Sequence, residues 1–195
     1  MAEALEDDIH ARAAQVLFGL DAPRLADAHV HVDFMSNARE VAVDAASRGL
    51  FLYANTVTPD GYVRTRELLG DLPSVRAGVG LHPRWVADGL LDEADVTRAA
   101  NLVSTTRWVG EVGLDFSPRY GRDGGKERQL RALESMARAC AREGDRVLSI
   151  HAVRAVSAVL DVLEHTGCLA SCACVLHWFS GSTDELWRAI RAGCW

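Results

Sequence analysis

Short apolar runs alternate with amphipathic stretches along the chain from about residue 25 onward. The apolar runs predict six β-strands, at residues 26–32, 50–57, 74–82, 107–115, 146–152 and 172–179. The amphipathic stretches predict helices, among them residues 37–49, 92–106, 126–144 and 184–193. Several of these helical stretches end in glycine, a residue that commonly terminates helices. Strands that alternate with helices in this way predict a parallel α/β protein.

The placement of polar residues decides between two parallel architectures. A doubly wound sheet can stop at six strands, but here polar residues stand at the carboxyl end of strand after strand. That placement is typical of a TIM (β/α)8 barrel, whose active site is built from those ends. We therefore expect an incomplete barrel over residues 25–195, because "GCW" at residues 193–195 only opens a seventh strand. Residues 1–24 are predicted to form a separate helical leader.

Composition limits the location and the partners of the protein. The 195 residues are 49% hydrophobic, which is enough for one core. No apolar run approaches the roughly 20 residues that a membrane span needs, and the acidic N-terminus is unlike a signal peptide. We therefore expect a cytoplasmic protein that does not contact membranes. The net charge of −6 argues against coating nucleic acid by bulk electrostatics, but it allows an enzyme that meets phosphates through local charge and bound metal.

The five cysteines agree with a reducing compartment. Their number is odd, and three of them, Cys168, Cys172 and Cys174, crowd into "CLASCAC". This spacing suits buried small residues better than a disulfide framework. A zinc knuckle is the alternative interpretation, although CxxxCxC is not a usual spacing for structural zinc.

The run "ADAHVHVDF" at residues 26–34 contains the first candidate ligands. In a strand, side chains at i and i+2 point to the same face, so His29 and His31 are expected to project together. Two histidines on one buried face are costly without a metal or a charged partner. Taken alone, the pair fits a ligand pair and a pair of core histidines equally well.

Polar residues near the ends of other strands favour the ligand interpretation. Glu111 stands inside the apolar strand of "VGEVGLDF", where a buried carboxylate needs cations; a structural ion pair with arginine is the alternative. His151 and His177 each follow apolar residues at the end of a strand. His82, in "GLHP", is expected to touch substrate or to support the ligands.

Four histidines and a glutamate at strand ends make a coherent metal site. Mixed imidazole and carboxylate ligands suit Zn, Mn, Co or Fe and tolerate Mg. Two metals that share a carboxylate can activate water and hold a transferring phosphoryl group. Phosphodiester hydrolysis is therefore the natural chemistry, with ester and amide hydrolysis as competitors.

Arginines concentrate in residues 117–131. Such a run is most often a solvated loop and helix face, and a phosphate-contacting loop is the sharper interpretation. Under that interpretation Arg119 and Arg122 join His82 as candidates for binding substrate, because the planar guanidinium pairs with phosphate oxygens.

The segments "DAHVH", "GLHP", "GEVGLDF", Gln129, "IH" and "LHWFSG" together resemble the TatD-like metal-dependent deoxyribonucleases. The resemblance covers residues 26–195 in the correct order and spacing. Within that family, "SPRY", "VLSIHA" and "HWFSGS" look closest to the TatD-type nuclease subunit of Qat anti-phage defence systems.

This resemblance implies a TIM barrel that uses one or two divalent metal ions (Mg, Mn or Zn) to cleave DNA from a 3′ end. The implied metal ligands are His29, His31, Glu111, His151 and His177, with Glu111 as the shared, catalytic carboxylate.

The chain departs from the family pattern in two places. The family's arginine two residues after the fifth-strand histidine is Val153 here, and Arg154 follows one position later as the candidate substrate contact. The family's final aspartate ligand comes from an eighth strand, whereas this sequence stops in the seventh. We therefore expect the C-terminal strands of the barrel to be missing.

Two other functions remain open from the sequence. The same pocket can serve an ester hydrolase, such as an aminoacyl-tRNA deacylase. A catalytically weak barrel can also serve as a subunit of a defence complex, with other proteins as partners. The five candidate ligand residues argue against a loss of catalytic activity, because a purely structural subunit has no reason to keep costly polar groups together.

Overall fold

The computed structural model describes residues 25–195. The predicted leader at residues 1–24 lies outside the described residues. The strands, all paired in parallel, are β1 (Leu25–Val30), β2 (Leu50–Asn55), β3 (Val75–Gly78), β4 (Trp108–Asp115), β5 (Val147–Val153) and β6 (Ala173–His177). The helices are α1 (Ala38–Ser47), α2 (Pro59–Leu69), α3 (Pro83–Ala87), α4 (Glu93–Leu102), α5 (Gly125–Glu143), α6 (Val156–His165), α7 (Cys168–Ser171) and α8 (Thr183–Arg191). Short 3-10 turns follow β1 at Val32–Phe34 and α4 at Val103–Thr105.

The strands form two three-stranded sheets, in the orders β1-β2-β3 and β4-β5-β6. An isolated parallel bridge joins the sheets just beyond β3, where Val79 pairs with Val109. Two further backbone bonds tie β4 to the end of β2: Glu111 donates its N–H to the oxygen of Thr56 at 2.7 Å, and Thr56 donates to the oxygen of Gly110 at 3.0 Å. The α/β class and the parallel strands are as predicted.

The closed TIM barrel is not present within residues 25–195. A barrel closes only when its first and last strands complete one ring of hydrogen bonds, and here β1 and β6 lie at the outer edges of separate sheets. Beside β6, Trp195 donates its N–H to the oxygen of Cys174 and accepts one from Leu176, both at 2.9 Å. Residue 195 thus occupies the place predicted for a seventh strand.

Local sequence explains where the helices begin. Thr58 precedes Pro59 and accepts a hydrogen bond from the N–H of Gly61 at 2.9 Å, a favourable start for α2. Asp92 and Ser182 each form a reciprocal capping box, which starts α4 and α8. Helix α5 is the longest, and its apolar face packs on β4 within the main core. No helix in residues 25–195 combines the length and hydrophobicity needed to cross a bilayer.

A separate cluster of Phe51, Tyr53, Trp108 and Val147 fills the space between the sheets near the amino ends of their strands. Tyr53 donates its hydroxyl to the backbone oxygens of Val109 and Val147, at 2.7 and 3.1 Å. This cluster ties both sheets together beneath the carboxyl ends of the strands, where the polar residues collect.

Candidate metal centre

Glu111 is the centre of the polar cluster. It lies in the middle of β4, all of which is buried, and its side chain is 3% exposed. Glycines one residue before it and two residues after it let the neighbouring strands approach. A Cβ on Gly110 would lie 2.2 Å from Asn55 Oδ1, and one on Gly113, where φ is 136°, would lie 2.2 Å from the backbone oxygen of His151. Larger residues at these positions would push the strands away from Glu111.

His29 and His31 face one oxygen of this carboxylate. Their Nε2 atoms are 3.2 Å apart, and they lie 3.5 and 3.1 Å from Glu111 Oε2. This shared direction agrees with the alternation expected at the end of a strand. The Nδ1 of His31 donates to the backbone oxygen of Asn55 at 2.9 Å, which directs its Nε2 towards Glu111.

Three more histidines face the other oxygen of Glu111. His151 approaches Oε1 through Nδ1 at 2.6 Å, and His177 and His82 approach it through Nε2 at 2.8 and 3.3 Å. His151 and His177 lie in β5 and β6. His82 lies four residues beyond β3, where it caps the start of α3 by accepting the N–H of Arg84. Both carboxylate oxygens therefore face imidazoles from different elements.

Residues around the histidines fix the orientation of their rings. The Ser149 Oγ lies 2.9 Å from Nδ1 of His29 and 3.2 Å from Nδ1 of His177, so one hydroxyl bridges β1 and β6. Asp115 lies 3.2 Å from Nε2 of His151 and accepts a hydrogen bond from Nε of Arg84 at 2.8 Å. Such outer contacts set the tautomer and direction of a ligating histidine.

The electrostatics of the cluster keep its carboxylates charged. Burial alone would raise the pKa of Glu111, but hydrogen bonds from the surrounding histidines, His151 first, hold that pKa far below its usual range. Burial also opposes ionisation of Asp115, and the contacts with His151, Ser117 and Arg84 outweigh it and lower the pKa.

The histidine shifts differ with the surroundings of each ring. The hydrogen bond to Glu111 raises the pKa of His31, whereas burial lowers the pKa values of His82 and His177. These two partly buried rings therefore favour the neutral form, which is the form that ligates metal.

The donor set fits a divalent metal ion. Within residues 25–195, two groups bring their ligand atoms within 4.8 Å of one another: His29 with His31 and Glu111, and His82 with Glu111 and His151. Imidazole nitrogens with a shared carboxylate suit transition metals. His82 thus lies in a group that can hold metal, although the sequence suggested a substrate or supporting contact. His177 lies in neither group, although it contacts Glu111.

None of these groups in the described part of the chain contains a cysteine. Of the three cysteines in "CLASCAC", Cys168 and Cys174 are buried, Cys172 is half-buried, and all three are free thiols.

The contacts of the three arginines proposed for substrate binding are with residues outside the histidine cluster. Arg119 is exposed, lies 3.6 Å from Asp88 and packs its guanidinium over the Tyr120 ring. The backbone oxygen of Arg122 accepts a hydrogen bond from Gly125 at the start of α5. Arg154 has a φ of 53° and donates its N–H to the hydroxyl of Ser180 at 2.6 Å. Their contact with substrate remains a prediction.

Sequence reasoning missed three residues at the centre. Asp115 and Ser149 carry a signal that could have found them, because each is an even number of residues along its strand from Glu111 or His151 and so faces the same side. Arg84 carries no such signal. It lies in α3, and only the folded chain places it beside Asp115.

A buried carboxylate surrounded by histidines, near the carboxyl ends of parallel strands, is the kind of site found in metal-dependent hydrolases. Comparison with known proteins gives the same class. Residues 26–195 match the family described as TatD related DNase. The chain belongs to this family of metal-dependent hydrolases.

Individual relatives support this assignment. The chain is 27% identical over 180 residues to YcfH of Escherichia coli, described as an uncharacterized metal-dependent hydrolase. That match covers 87% of this chain but only 64% of YcfH, so the chain spans less than two thirds of its relative. The fold resembles the crystal structure of YjjV, a TatD homologue from Escherichia coli, with a TM-score of 0.74, 23% identity and coverage of 88% of this chain and 66% of YjjV.

A TatD-family hydrolase from Entamoeba histolytica shows the same fold at greater distance. Its TM-score is 0.67 at 16% identity, over 87% of this chain and 63% of that protein. At these identities the two structures establish the fold only.

Proposed function

We propose that this protein is a metal-dependent deoxyribonuclease that removes nucleotides from the 3′ end of DNA. One observation carries the proposal: both oxygens of the buried Glu111 carboxylate face imidazole groups, so a single side chain can be shared by two metal sites. Family membership and the resemblance of the site motifs supply the DNA substrate.

The proposed ligands are His29, His31, Glu111, His151 and His177, with His82 as a further candidate. Metal ions held there would lower the pKa of water and neutralise charge on a phosphate. Mg, Mn and Zn are the candidate ions, because mixed imidazole and carboxylate donors accept each of them.

The residues of the chain then have separate tasks. Glu111 holds its negative charge between the two histidine groups, and its low pKa keeps it charged at neutral pH. The contacts of His31 with Asn55 and of His151 with Asp115 keep these rings directed at the centre. Arg119, Arg122 and Arg154 remain candidates for binding the DNA backbone through phosphate oxygens.

The direct test uses 3′-labelled single-stranded DNA with Mg²⁺, Mn²⁺ or Zn²⁺, with and without a chelator. We expect cleavage that the chelator abolishes. The control variant is H165A, which replaces an exposed histidine on α6 that does not belong to the Glu111 cluster. We expect H165A to cleave DNA as the wild type does. If the protein cleaves charged tRNA and no DNA in the same assay, the alternative of an ester hydrolase replaces the nuclease.

A role in anti-phage defence rests on the sequence resemblance alone. Such a role implies protein partners in the cytoplasm. The test counts phage plaques on cells that carry the native gene neighbourhood with either the wild-type protein or E111Q. A defence subunit that acts by catalysis should lose protection with E111Q. Equal protection by both would favour a structural role. An eight-stranded barrel in the whole protein is likewise part of the proposal.

A further inference from the structure

An exposed tryptophan stands at the rim of the histidine centre. Trp178 follows directly after His177, the last residue of β6, and 66% of its surface is exposed. Its φ of 52° lies in the left-handed region, which is unfavourable for a bulky side chain. A large aromatic residue held in this conformation and left open to solvent is a candidate for a binding role.

The contacts of Trp178 join it to the centre. Its ring is stacked on His151, with centroids 5.9 Å apart and planes 18° from parallel. The guanidinium carbon of Arg84 lies 5.6 Å from the centre of the indole ring. Because two thirds of its surface remains exposed, these two neighbours leave part of the indole open for a further partner.

Arg84 places a positive charge beside this ring. Its Nε donates to the buried Asp115 at 2.8 Å, which fixes the guanidinium next to Trp178. Within residues 25–195 its two terminal nitrogens make no hydrogen bond, so they keep donors for an anion. A planar apolar surface beside a fixed guanidinium matches a nucleotide, whose base stacks and whose phosphate pairs with arginine.

A second exposed aromatic side chain lies beside another histidine of the centre. The exposed Phe34 lies 5.6 Å from His31 between ring centroids and stacks on Trp85 at 6.5 Å. His31 and His151 face opposite oxygens of Glu111. Exposed aromatic side chains thus border histidines that face both oxygens of Glu111, and such side chains can stack on unpaired bases.

We propose that Trp178 stacks the unpaired base of a nucleotide next to the cleaved phosphodiester, while Arg84 pairs with a phosphate of that nucleotide. The proposal rests on the proposed DNase function and adds to it a specificity-determining residue. It predicts that the enzyme recognises the base at one position through its π-surface and not through its hydrogen-bonding edge.

The test measures binding without cleavage. A fluorescein-labelled oligothymidine is titrated in EDTA, and fluorescence anisotropy gives the dissociation constant. The comparison series carries an abasic nucleotide at each of the last three 3′ positions in turn. We expect wild type to bind one abasic oligonucleotide roughly 5- to 150-fold more weakly than the intact one, the range that corresponds to stacking of one base.

Three variants assign that loss to Trp178. W178A should bind intact oligonucleotide as weakly as wild type binds the abasic one, and it should no longer distinguish the two. W178F should keep most of the discrimination, since phenylalanine also stacks. W187A removes another exposed tryptophan, on α8, and should behave as wild type.

The outcomes separate this inference from the proposed function. If wild type cleaves DNA in Mn²⁺ but binds intact and abasic oligonucleotides equally, the stacking role of Trp178 is refuted and the nuclease stands. If it neither binds nor cleaves DNA, both are refuted. The abasic comparison uses wild type alone, so it gives an answer even if W178A fails to fold.

Discussion

The Glu111 centre and the cysteine group, which comprises Cys140, Cys168, Cys172 and Cys174, both gather side chains of types that ligate metals. They differ in charge. The histidines around Glu111 hold the pKa of its carboxylate far below the usual range, so the charge is present. Burial raises the pKa of Cys140, and a hydrogen bond with Cys168 raises that of Cys172, so these thiols stay protonated.

This difference in charge distinguishes a candidate metal site from a cluster of neutral side chains. Cysteine binds metal as the thiolate, and a raised thiol pKa makes that form harder to reach, whereas the Glu111 carboxylate is already charged and faces oriented imidazoles. Both clusters contain buried and half-buried side chains, so burial alone does not separate them. Four substitutions test this difference between the two clusters.

E111Q should have the largest effect. The amide keeps the shape of the side chain but removes the charge that the two histidine groups share. We expect metal affinity and metal-dependent hydrolysis to fall by more than about 100-fold, because loss of a residue that merely orients a ligand already costs about 10- to 100-fold. Metal content after dialysis and DNA cleavage measure the two effects. Retention of full metal content would show that Glu111 is not the shared ligand.

S149A should weaken metal binding by about 10- to 100-fold, because the Ser149 hydroxyl orients both His29 and His177. Ser149 is buried and contacts no metal-facing nitrogen, so its effect acts through the two rings. Isothermal titration calorimetry, in which Mn²⁺ is added to metal-free protein, measures the affinity for the ion. S149T, which keeps the hydroxyl, is the control that should retain more affinity than S149A. Equal affinity of wild type and S149A would mean that the rings need no such support.

The contrast between Ser149 and Arg84 shows how far sequence reasoning reaches. The shared direction of His29 and His31, and that of Ser149 and His151, follow from strand alternation, because each strand fixes which face its side chains share. That rule gave the shared direction of His29 and His31 and could have given Ser149, whereas the full ligand set came from polar residues in or at the ends of strands and from the family resemblance. Strand alternation could not give Arg84, whose contact with Asp115 depends on how a short helix packs over the ends of strands.

The fold shows the same division. Alternating apolar and amphipathic segments predicted the six strands, since each strand is encoded locally. The division into two sheets was not predicted, because it depends on hydrogen bonds between segments distant in sequence. The joint beyond β3, where Val79 reaches Val109, is one such contact.

C168S tests the other side of the comparison. Cys168 is 0% exposed in the main core, so the serine hydroxyl would be buried where the thiol was. We expect the free energy of unfolding to fall by about 1–3 kcal/mol, the cost of a buried hydroxyl without a good partner, while metal content stays unchanged. Urea unfolding and metal analysis measure the two quantities. C168A removes the polar atom and separates the hydroxyl effect from lost packing. A drop in bound metal would place the cysteine group among the metal sites after all.

E185Q should have the smallest effect, and it asks whether a low carboxylate pKa is sufficient for a site. Glu185 accepts hydrogen bonds from the backbone N–H of Ser182 and from Ser157, and these contacts lower its pKa to about 2. Unlike Glu111, it lies at the surface, where α8 meets α6, and no histidine faces it among the described residues.

The pH dependence of this effect has a definite sign. The folded-state pKa of Glu185 lies below its ordinary value of 4.5, so its contribution to stability is present above about pH 4.5 and disappears as the pH falls towards about 2. Because the group is exposed, solvent screening limits the contribution at pH 7 to roughly 0.5 kcal/mol. Urea unfolding of wild type and E185Q at pH 7 and pH 3 should show a difference that shrinks at the lower pH. Metal content should stay unchanged, since a charged carboxylate without converging imidazoles lacks the other ligands that a metal ion needs.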